Sequence, residues 1–256
     1  MKRRSFVLGA AGLMLARSGF TQSDHAHHGG MYESLQKPGR IDLPPIAQTQ
    51  RYFTSPAPKA ANEGRWVTRA PLPLPRSEMA WATAYADRMH IVGGYAEQRV
   101  DRPYHHVYDP KTDRWLDAPP LPRGANHVGV AVLDGRLYAI GGRVDGSYGR
   151  NLGDNEAYDP ATDRWEKKAP LPTVRSGIAG AVLNGRIVVI GGEAPSGTFN
   201  QTEAYDPKTD SWTSLAPTPT ARHGLGAAVV GGKLYAIGGG PTPGGSNSAL
   251  NEVFTP

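Results

Sequence analysis

The sequence predicts an all-β fold that is assembled from four similar units. The first observation is the stretch Gly135–Gly142, which reads Gly-Arg-Leu-Tyr-Ala-Ile-Gly-Gly and has three further copies in the chain. The first glycines of the four closing pairs are Gly93, Gly141, Gly191 and Gly238, so the copies lie 48, 50 and 47 residues apart. A period near 50 residues with an apolar strand in each copy is typical of a β-propeller rather than of a helical solenoid.

The second observation is a turn motif that keeps the same period. Asp109–Trp115 reads Asp-Pro-Lys-Thr-Asp-Arg-Trp and recurs with small changes at Asp159–Trp165 and Asp206–Trp212. Asp followed by Pro favours a type I turn, because Pro presets φ and Asp accepts a hydrogen bond from the backbone. The tryptophan has a large apolar surface, so we expect it to wedge between neighbouring sheets.

The third observation is a proline-rich link that carries an arginine and opens each unit. The four arginines are Arg76, Arg123, Arg175 and Arg222, and the sequence predicts that they occupy one equivalent position. A ring would place these guanidiniums around one axis, where they would favour a carboxylate-bearing ligand with bidentate geometry. The alternative is structural, with each arginine bonding loop carbonyls and bracing adjacent blades.

Together, the double glycine, the Tyr-Asp-Pro turn and the spaced tryptophan resemble the kelch repeat over residues 66–256. The resemblance implies a kelch-type β-propeller, in which the links and the loops between second and third strands gather on one face. Galactose-oxidase-like members of this group use copper with a Cys–Tyr crosslink. The chain contains no cysteine, so that cofactor is excluded and no cofactor is expected.

Residues 1–19 resemble a twin-arginine export signal, because Arg3 and Arg4 precede an apolar run from Val7 to Ala16. This run is too short to form a stable membrane anchor. We therefore expect a periplasmic or secreted protein, and the alternative is a fortuitous basic and apolar N-terminus. The formal net charge of +5 includes Lys2, Arg3, Arg4 and Arg17 of this segment, and no basic stripe indicates nucleic-acid binding.

Residues 20–64 show no clear period and predict an extended arm that is rich in histidine and proline. His25, His27 and His28 are spaced closely enough to chelate Cu(II) or Zn(II). No fixed partner ligand can be named for them, so a solvated linker is the favoured interpretation and no metal site is expected.

Residues 65–256 are expected to form the propeller domain, and the second unit illustrates its elements. Its strands are predicted at Gly124–Leu133, Arg136–Ile140, Asn155–Asp159 and Arg164–Lys168. First strands of small apolar residues suit a position next to a narrow axis. The glycine pairs end the second strands, where a positive φ or a close backbone approach is needed.

The fourth unit has a third strand near Val253 but no tryptophan strand, whereas Trp66 has no unit of its own. The N-terminal strand Arg65–Thr68 is therefore predicted to complete the last blade and close the ring. Residues 52–56 resemble residues 253–256, so a competing third strand is an alternative. Four units are fewer than kelch propellers usually have, which leaves an unclosed ring or a homo-oligomer closed through a second chain.

The loops and links of the predicted binding face supply aromatic and polar side chains that suit sugars or carboxylated ligands. The predicted ligand-binding residues are Arg76, Tyr104, Arg123, Asn126, His127, Tyr148, Arg175, Arg222 and His223. His127 and His223, one residue apart in register, are interpreted as hydrogen-bonded channel residues. Glu78, Glu97 and Glu193 are candidate acids or bases, although isolated loop carboxylates are usually solvated.

No catalytic motif of the Gly-x-Ser-x-Gly, His-Glu-x-x-His or phosphate-loop type is present. Three hypotheses follow. The first is an exported recognition module that binds a protein segment or an acidic carbohydrate through the channel-mouth loops. The second is a carbohydrate-active enzyme similar to the periplasmic kelch mutarotase of sialic acid, and the third is a metal-linked protein that uses the histidine-rich arm. The first is preferred, because no assembled catalytic set can be named.

Overall fold

A computed structural model describes residues 67–80, 82–96, 100–145 and 150–256 of the chain. These residues form four antiparallel sheets in a propeller arrangement, which confirms the predicted all-β fold and its four units. In this part of the chain, no helix has the length and apolar character needed to cross a bilayer.

The first two sheets, blades 1 and 2, have four strands each. Blade 1 contains β1 (Thr83–Tyr85), β2 (Arg88–Val92), β3 (His105–Asp109) and β4 (Arg114–Ala118). Blade 2 contains β5 (Gly129–Leu133), β6 (Arg136–Ile140), β7 (Asn155–Asp159) and β8 (Arg164–Lys167). The strands of each blade pair in chain order. The first strands of neighbouring blades contact each other, so the first strand is innermost and the tryptophan strand is outermost.

Blade 3 repeats this pattern with one addition. It contains β9 (Ala179–Leu183), β10 (Arg186–Ile190), β13 (Thr202–Asp206) and β14 (Ser211–Leu215). A short hairpin of β11 (Glu193–Ala194) and β12 (Gly197–Thr198) lies in its loop. Blade 4 has three strands in the described residues, which are β15 (Gly226–Val230), β16 (Lys233–Ile237) and β17 (Asn251–Phe254).

The strand bounds agree closely with the predicted ones in unit 2, except at the start of β5. The predicted strand from Gly124 begins only at Gly129, because the preceding residues belong to the link. There, Asn126 forms an isolated bridge with Arg143, and His127 takes a left-handed backbone conformation with a φ of 53°. A residue with a positive φ interrupts the extended backbone that a strand requires.

Neighbouring blades pack face to face, mainly through apolar side chains, and the buried His90 and His105 of blade 1 lie against Tyr158 of blade 2. We call the face of a blade towards the next unit its distal face, and the face towards the previous unit its proximal face. Distal Leu133, Tyr138 and Ile140 of blade 2 pack with proximal Ile187 and Tyr205 of blade 3 in one cluster. Each such buried side chain contributes about 1.5–3 kcal/mol, so the blade interfaces form the core of the fold.

The double glycines serve the turn after the second strand and also the contact with the next unit. All eight glycines of the four pairs have positive φ, as predicted; Gly142, for example, has a φ of 91°. A Cβ atom on Gly142 would lie 2.7 Å from the carbonyl oxygen of Asn126. The amide of Gly142 donates to the carbonyl of Arg175 in the next unit at 3.1 Å, so a side chain would disturb both contacts.

The tryptophan of each turn motif contacts the preceding unit, as the sequence predicts. The indole Nε1 of Trp115 donates to the carbonyl of Ala70 at 2.9 Å. Trp165 donates in the same way to Pro119, and Trp212 to Ala169, both at 2.7 Å. The turn itself is closed by side chains. For example, the hydroxyl of Tyr158 donates to Oδ1 of Asp163 at 2.5 Å, and Asp163 has a φ of 54°.

The predicted closing strand Arg65–Thr68 is described only in part, because Arg65 and Trp66 lie outside the described residues. Residues 67 and 68 form no ladder with β17. Ala70 nevertheless donates to Asp113 and accepts from Trp115, as Ala169 does with Asp210 and Trp212. Ala70 therefore lies where the outer strand of a preceding blade would end, and closure by Trp66 stays a prediction.

Candidate functional site

The links and the loops after the second strands meet on one face of the propeller. Isolated bridges join Ser77 to Tyr95, Asn126 to Arg143, Ser176 to Glu193 and His223 to Gly240. Each bridge pairs a link residue with the residue that directly follows a double glycine. The polar side chains of four units are therefore brought around one axis by equivalent backbone contacts.

The bridges also define which link residues are equivalent, and they correct the predicted arginine ring. The residue before each bridge is Arg76, Ala125, Arg175 or Arg222. The prediction was wrong for Arg123, which lies two residues earlier and pairs with Asp154 at the surface. The backbone amide of Leu121 donates to the carbonyl of Pro103 and fixes the register of this link, and the amide of Leu171 does the same in the next link by donating to Gly153. The arginine position comes four residues after each of these leucines.

The three arginines at this position are buried inside the sheets. Arg175 donates from Nε to the carbonyl of Gly191 at 2.7 Å and also donates to the carboxylate of Glu203. Arg222 donates to Glu252 at 2.6 Å. Arg76 donates to the carbonyl of Gly93 at 3.0 Å, and burial lowers the pKa of its guanidinium to about 10. These contacts support the bracing alternative rather than a ligand role.

Unit 2 lacks this brace, and a buried carboxylate is left without an arginine at the brace position. Glu156 occupies the strand position of Glu203 and Glu252, but its unit has Ala125 at the arginine position. Only 5% of Glu156 is exposed. Burial, with a further contribution from the charge of Asp154, raises the pKa of the Glu156 carboxyl above its usual value.

A central cavity of about 380 Å³ lies where the four links converge. Its walls are largely apolar and include Met79, Ile91, Val128, Ile178 and Leu225, so every unit contributes. Concave apolar sites with a few polar groups are the usual binding sites for small ligands and for anchoring side chains. The cavity is therefore the first candidate for a functional site.

Glu78 and His127 supply the ionisable side chains that line the cavity. Their φ angles are 50° and 53°, and the equivalent residues of units 3 and 4 are Gly177 and Gly224, at 64° and 58°. Residues other than glycine are rare at such φ angles, and strained backbone is concentrated at functional sites. Nε2 of His127 lies 3.1 Å from Oε2 of Glu78, so the two strained residues form a carboxylate–imidazole pair.

Behind this pair, a series of polar contacts crosses all four blades. The NH2 atom of Arg143 lies 2.9 Å from Nε2 of His127, and its NH1 atom donates to Oε1 of Glu193 at 2.7 Å. Oε2 of Glu193 lies 3.3 Å from Nδ1 of His223 in unit 4. The side chains of Arg143 and Glu193 are almost completely buried, where electrostatic interactions are stronger than in water.

The ring of His127 is held between three polar groups. Nδ1 lies 2.6 Å from the side-chain oxygen of Asn126, an acceptor, whereas Nε2 lies between NH2 of Arg143 at 2.9 Å and Oε2 of Glu78 at 3.1 Å. Burial lowers the pKa of His127; the hydrogen bond to Glu78 opposes this shift, and the charge of Arg143 adds to it. The carboxylate of Glu78, which lines the cavity, offers acceptors to a ligand that carries donor groups.

The remaining predicted residues divide into three groups. Asn126 is fully buried and positions His127, and His223 lies in the polar series. Tyr104 is exposed and stacks on His106 with ring centres 5.6 Å apart. The third group lies outside the described residues and consists of Tyr148, Glu97, His25, His27 and His28. Within the described ranges, no group of three or more His, Cys, Asp or Glu residues could hold a metal ion.

Sequence reasoning missed the role of Arg143 and treated Glu78 and Glu193 as isolated carboxylates. A signal was available, because the residues after the double glycines are Tyr95, Arg143, Glu193 and Gly240. A position that differs in every unit beside an invariant turn indicates a site rather than a repeat requirement. The partners of these residues lie on other blades, so their pairing required the fold.

Four antiparallel sheets that share double-glycine turns and a tryptophan against the preceding unit define a propeller of sequence repeats. The chain belongs to the kelch-repeat family. Residues 62–239 match the family model described as the KLHDC2/KLHL20/DRC7 Kelch-repeats domain.

Curated proteins with similar sequences are also kelch-like proteins. The chain is 32% identical over 100 residues to Kelch-like protein terF of Aspergillus terreus, which covers 33% of this chain and 21% of that protein. It is 32% identical over 81 residues to mouse Kelch-like protein 35, covering 32% and 13% of the two chains. It is also 32% identical over 82 residues to Kelch-like ECH-associated protein 1B of Danio rerio, covering 31% and 14%. The chain thus matches only about a fifth or less of the length of these relatives.

Proposed function

We propose that this protein is a recognition module that binds a protein segment at the central cavity. The observation that carries the proposal is the placement of Glu78 and His127. Both line the cavity from strained positions where units 3 and 4 have glycine. The kelch-like relatives support a binding role, since one of them is named for its association with another protein.

The chemistry of the cavity favours a particular kind of segment. Its apolar walls suit an aliphatic or aromatic side chain of the partner. The carboxylate of Glu78 accepts hydrogen bonds, so the adjoining group of the partner should be a donor, such as an amide, a hydroxyl or a cation. The buried arginines do not line the cavity, and this removes the main support for an acidic peptide or an acidic carbohydrate.

A neutral sugar is the second candidate, because its hydroxyls are donors and its ring carbons pack on apolar walls. The contact of 3.1 Å between Glu78 and His127 favours this alternative specifically, since a carboxylate–imidazole pair can transfer protons. An enzyme similar to a sugar mutarotase would use it as an acid and a base. Conversion of one sugar anomer into the other, followed by NMR, would distinguish this activity from binding alone.

The decisive experiment uses the glycines of units 3 and 4 as a guide. A displayed peptide library and a panel of neutral sugars would first identify a ligand of the wild-type protein by calorimetry. Glu78→Gly and His127→Gly are then expected to keep or raise the melting temperature, because they relieve strain, and to weaken the ligand by at least about tenfold. Arg123→Ala is the control, since Arg123 lies outside the cavity. Unchanged affinity in both glycine variants would place the binding site elsewhere.

We further propose that the protein is exported through the twin-arginine route to the periplasm or beyond. The support is the sequence of residues 1–19, where Arg3 and Arg4 precede the apolar run. Replacement of both arginines with lysine should retain the protein in the cytoplasm. Fractionation of cells that express the two forms provides the measurement, and equal periplasmic delivery would contradict the proposal.

A further inference from the structure

The distal face of blade 4 is apolar and uncovered. Val230, Ile237 and Val253 are 63%, 49% and 53% exposed on this face. Their counterparts in blade 2 are Leu133, Ile140 and Ala157, which are 8%, 1% and 0% exposed against blade 3. The same positions are thus core in one blade and surface in another, although the residues remain apolar.

The proximal face of blade 1 is partly uncovered in the complementary way, although Tyr108 on this face is only 3% exposed. Met89 is 40% exposed, whereas its counterparts Leu137, Ile187 and Leu234 are each at most 2% exposed. Ala82 and Ala84 are also exposed, at the positions where Val130 and Val132 pack on the core of blade 2. Blade 1 therefore presents one half of an interface and blade 4 presents the other half.

Within the part of the chain that the structure describes, these two halves do not meet. The second glycines of units 1, 2 and 3 each donate to the link of the next unit, as Gly94 does to Ala125 at 2.8 Å and Gly192 to Arg222 at 2.8 Å. In the described residues, Gly239 of unit 4 makes no such bond to unit 1. Apolar patches of this kind on a folded protein are interaction sites.

We propose that the two uncovered faces bind a second copy of this chain, with the distal face of each blade 4 on the proximal face of the partner's blade 1. The interface needed already exists three times within the chain, so the partner continues an established packing. A head-to-tail contact closes when the rotation permits, and two copies related by a two-fold axis would satisfy both faces at once. The ring would have about eight blades, which lies within the range that propellers adopt.

The position of Ala70 is consistent with this arrangement. Ala70 makes the two contacts with blade 1 that Ala169, which follows the outer strand of blade 2, makes with blade 3. In the dimer, the free edge of β17 from the partner would lie beside Ala70.

The test is the molar mass of the full chain, measured by light scattering at micromolar concentration. The expected mass is twice the chain mass of 27.4 kDa. Ile237→Lys and Val230→Lys should weaken dimerisation at least tenfold and leave the circular dichroism spectrum unchanged, since both residues are exposed in the monomer. Leu116→Lys is the matched control, because Leu116 is 45% exposed on the outer strand β4 and lies on neither uncovered face. A monomeric wild-type protein would overturn the proposal.

Crosslinking distinguishes a second copy from closure within one chain. The chain has no native cysteine, so single cysteines can be placed freely. Val230→Cys and Met89→Cys mark the two faces, and their counterparts Leu133 and Ile187 share one apolar cluster. With a short bismaleimide, a mixture of the two single variants should give a crosslinked dimer. If the doubly substituted chain instead crosslinks only to itself, the ring closes within one chain and the proposal is wrong.

Discussion

Arg175 and Glu203 lie against each other inside blade 3, where the guanidinium donates both to the carboxylate and to the carbonyl of Gly191. Arg175 is fully buried and Glu203 nearly so. The pair joins the link, the double-glycine turn and the third strand of one unit. Arg222 and Glu252 repeat the arrangement in unit 4, so a surface ligand is not needed to explain these arginines.

Arg175→Ala should lower the free energy of unfolding by about 3–5 kcal/mol, because it leaves Glu203 charged and unpaired in the interior. Arg123→Ala should change it by less than about 1 kcal/mol, because the pair of Arg123 with Asp154 is exposed. Urea denaturation of the two variants beside the wild type measures both values. Equal effects of the two substitutions would contradict the assignment of Arg175 as a brace.

Glu156→Gln should leave stability at pH 7 unchanged or raise it by about 1 kcal/mol, since the ionised carboxylate is buried without an arginine. Folding raises the pKa of the Glu156 carboxyl above its ordinary value of 4.5. The contribution of this group to the folding stability is therefore fully present below pH 4.5 and is lost as the pH rises through the folded pKa. The variant should therefore lose less stability than the wild type as pH rises from about 4.5. Glu203→Gln, which removes the negative charge that pairs with the buried guanidinium of Arg175, is the destabilised control.

His105→Asn should reduce the loss of stability in acid. Burial, with the neighbouring His90, lowers the pKa of His105 to about 3, so the folded state holds this ring neutral. Stability is then lost as pH falls from the unfolded value near 6.5 towards 3. Asn155 and Asn251 occupy the same position in units 2 and 4, which makes asparagine a compatible replacement. Thermal melts between pH 7 and pH 4 measure the difference, and parallel curves would argue against His105 as the titrating group.

Gly142→Ala should destabilise the fold by about 3 kcal/mol or more. Its Cβ atom would lie 2.7 Å from both the carbonyl oxygen of Asn126 and Cγ2 of Val128, at a φ of 91°. Gly135→Ala is the matched control, because Gly135 has a φ of 70° but no atom within 4 Å of the added carbon. This control should lose only about 1–2 kcal/mol from backbone strain. Chemical denaturation of both variants separates the effect of close packing from that of φ.

The repeated elements were predictable because their causes are local. Bounds such as Arg136–Ile140 follow from an apolar run between a turn and two glycines, and the structure reproduces them. Trp165 was predicted to contact the neighbouring unit because the same large side chain recurs at one offset, and its indole does so. Repetition converts weak local signals into strong ones, since each unit is an independent observation of the same requirement.

The details of the links were less predictable, because they depend on contacts that are distant in the sequence. Pro122 precedes Arg123 in the sequence just as Pro75 precedes Arg76, which suggests that the two arginines are equivalent. The register of the link is instead set by the hydrogen bond from the amide of Leu121 to the carbonyl of Pro103. The polar series had the same limitation. Arg143 and Glu193 are 50 residues apart in the chain, and only the packing of blades 2 and 3 brings them together.

The bonds that run from the double glycines of units 1, 2 and 3 to the next link, as from Gly142 to Arg175, couple each blade to its neighbour. Such a protein behaves like a row of coupled elements, in which opening begins at an end and moves inward. Blade 4, with three strands and an uncovered face, should therefore exchange its amide hydrogens first, and β6 and β10 should exchange theirs last. A partner that covers Ile237 would slow exchange throughout the row, so the protection of distant strands would report on assembly.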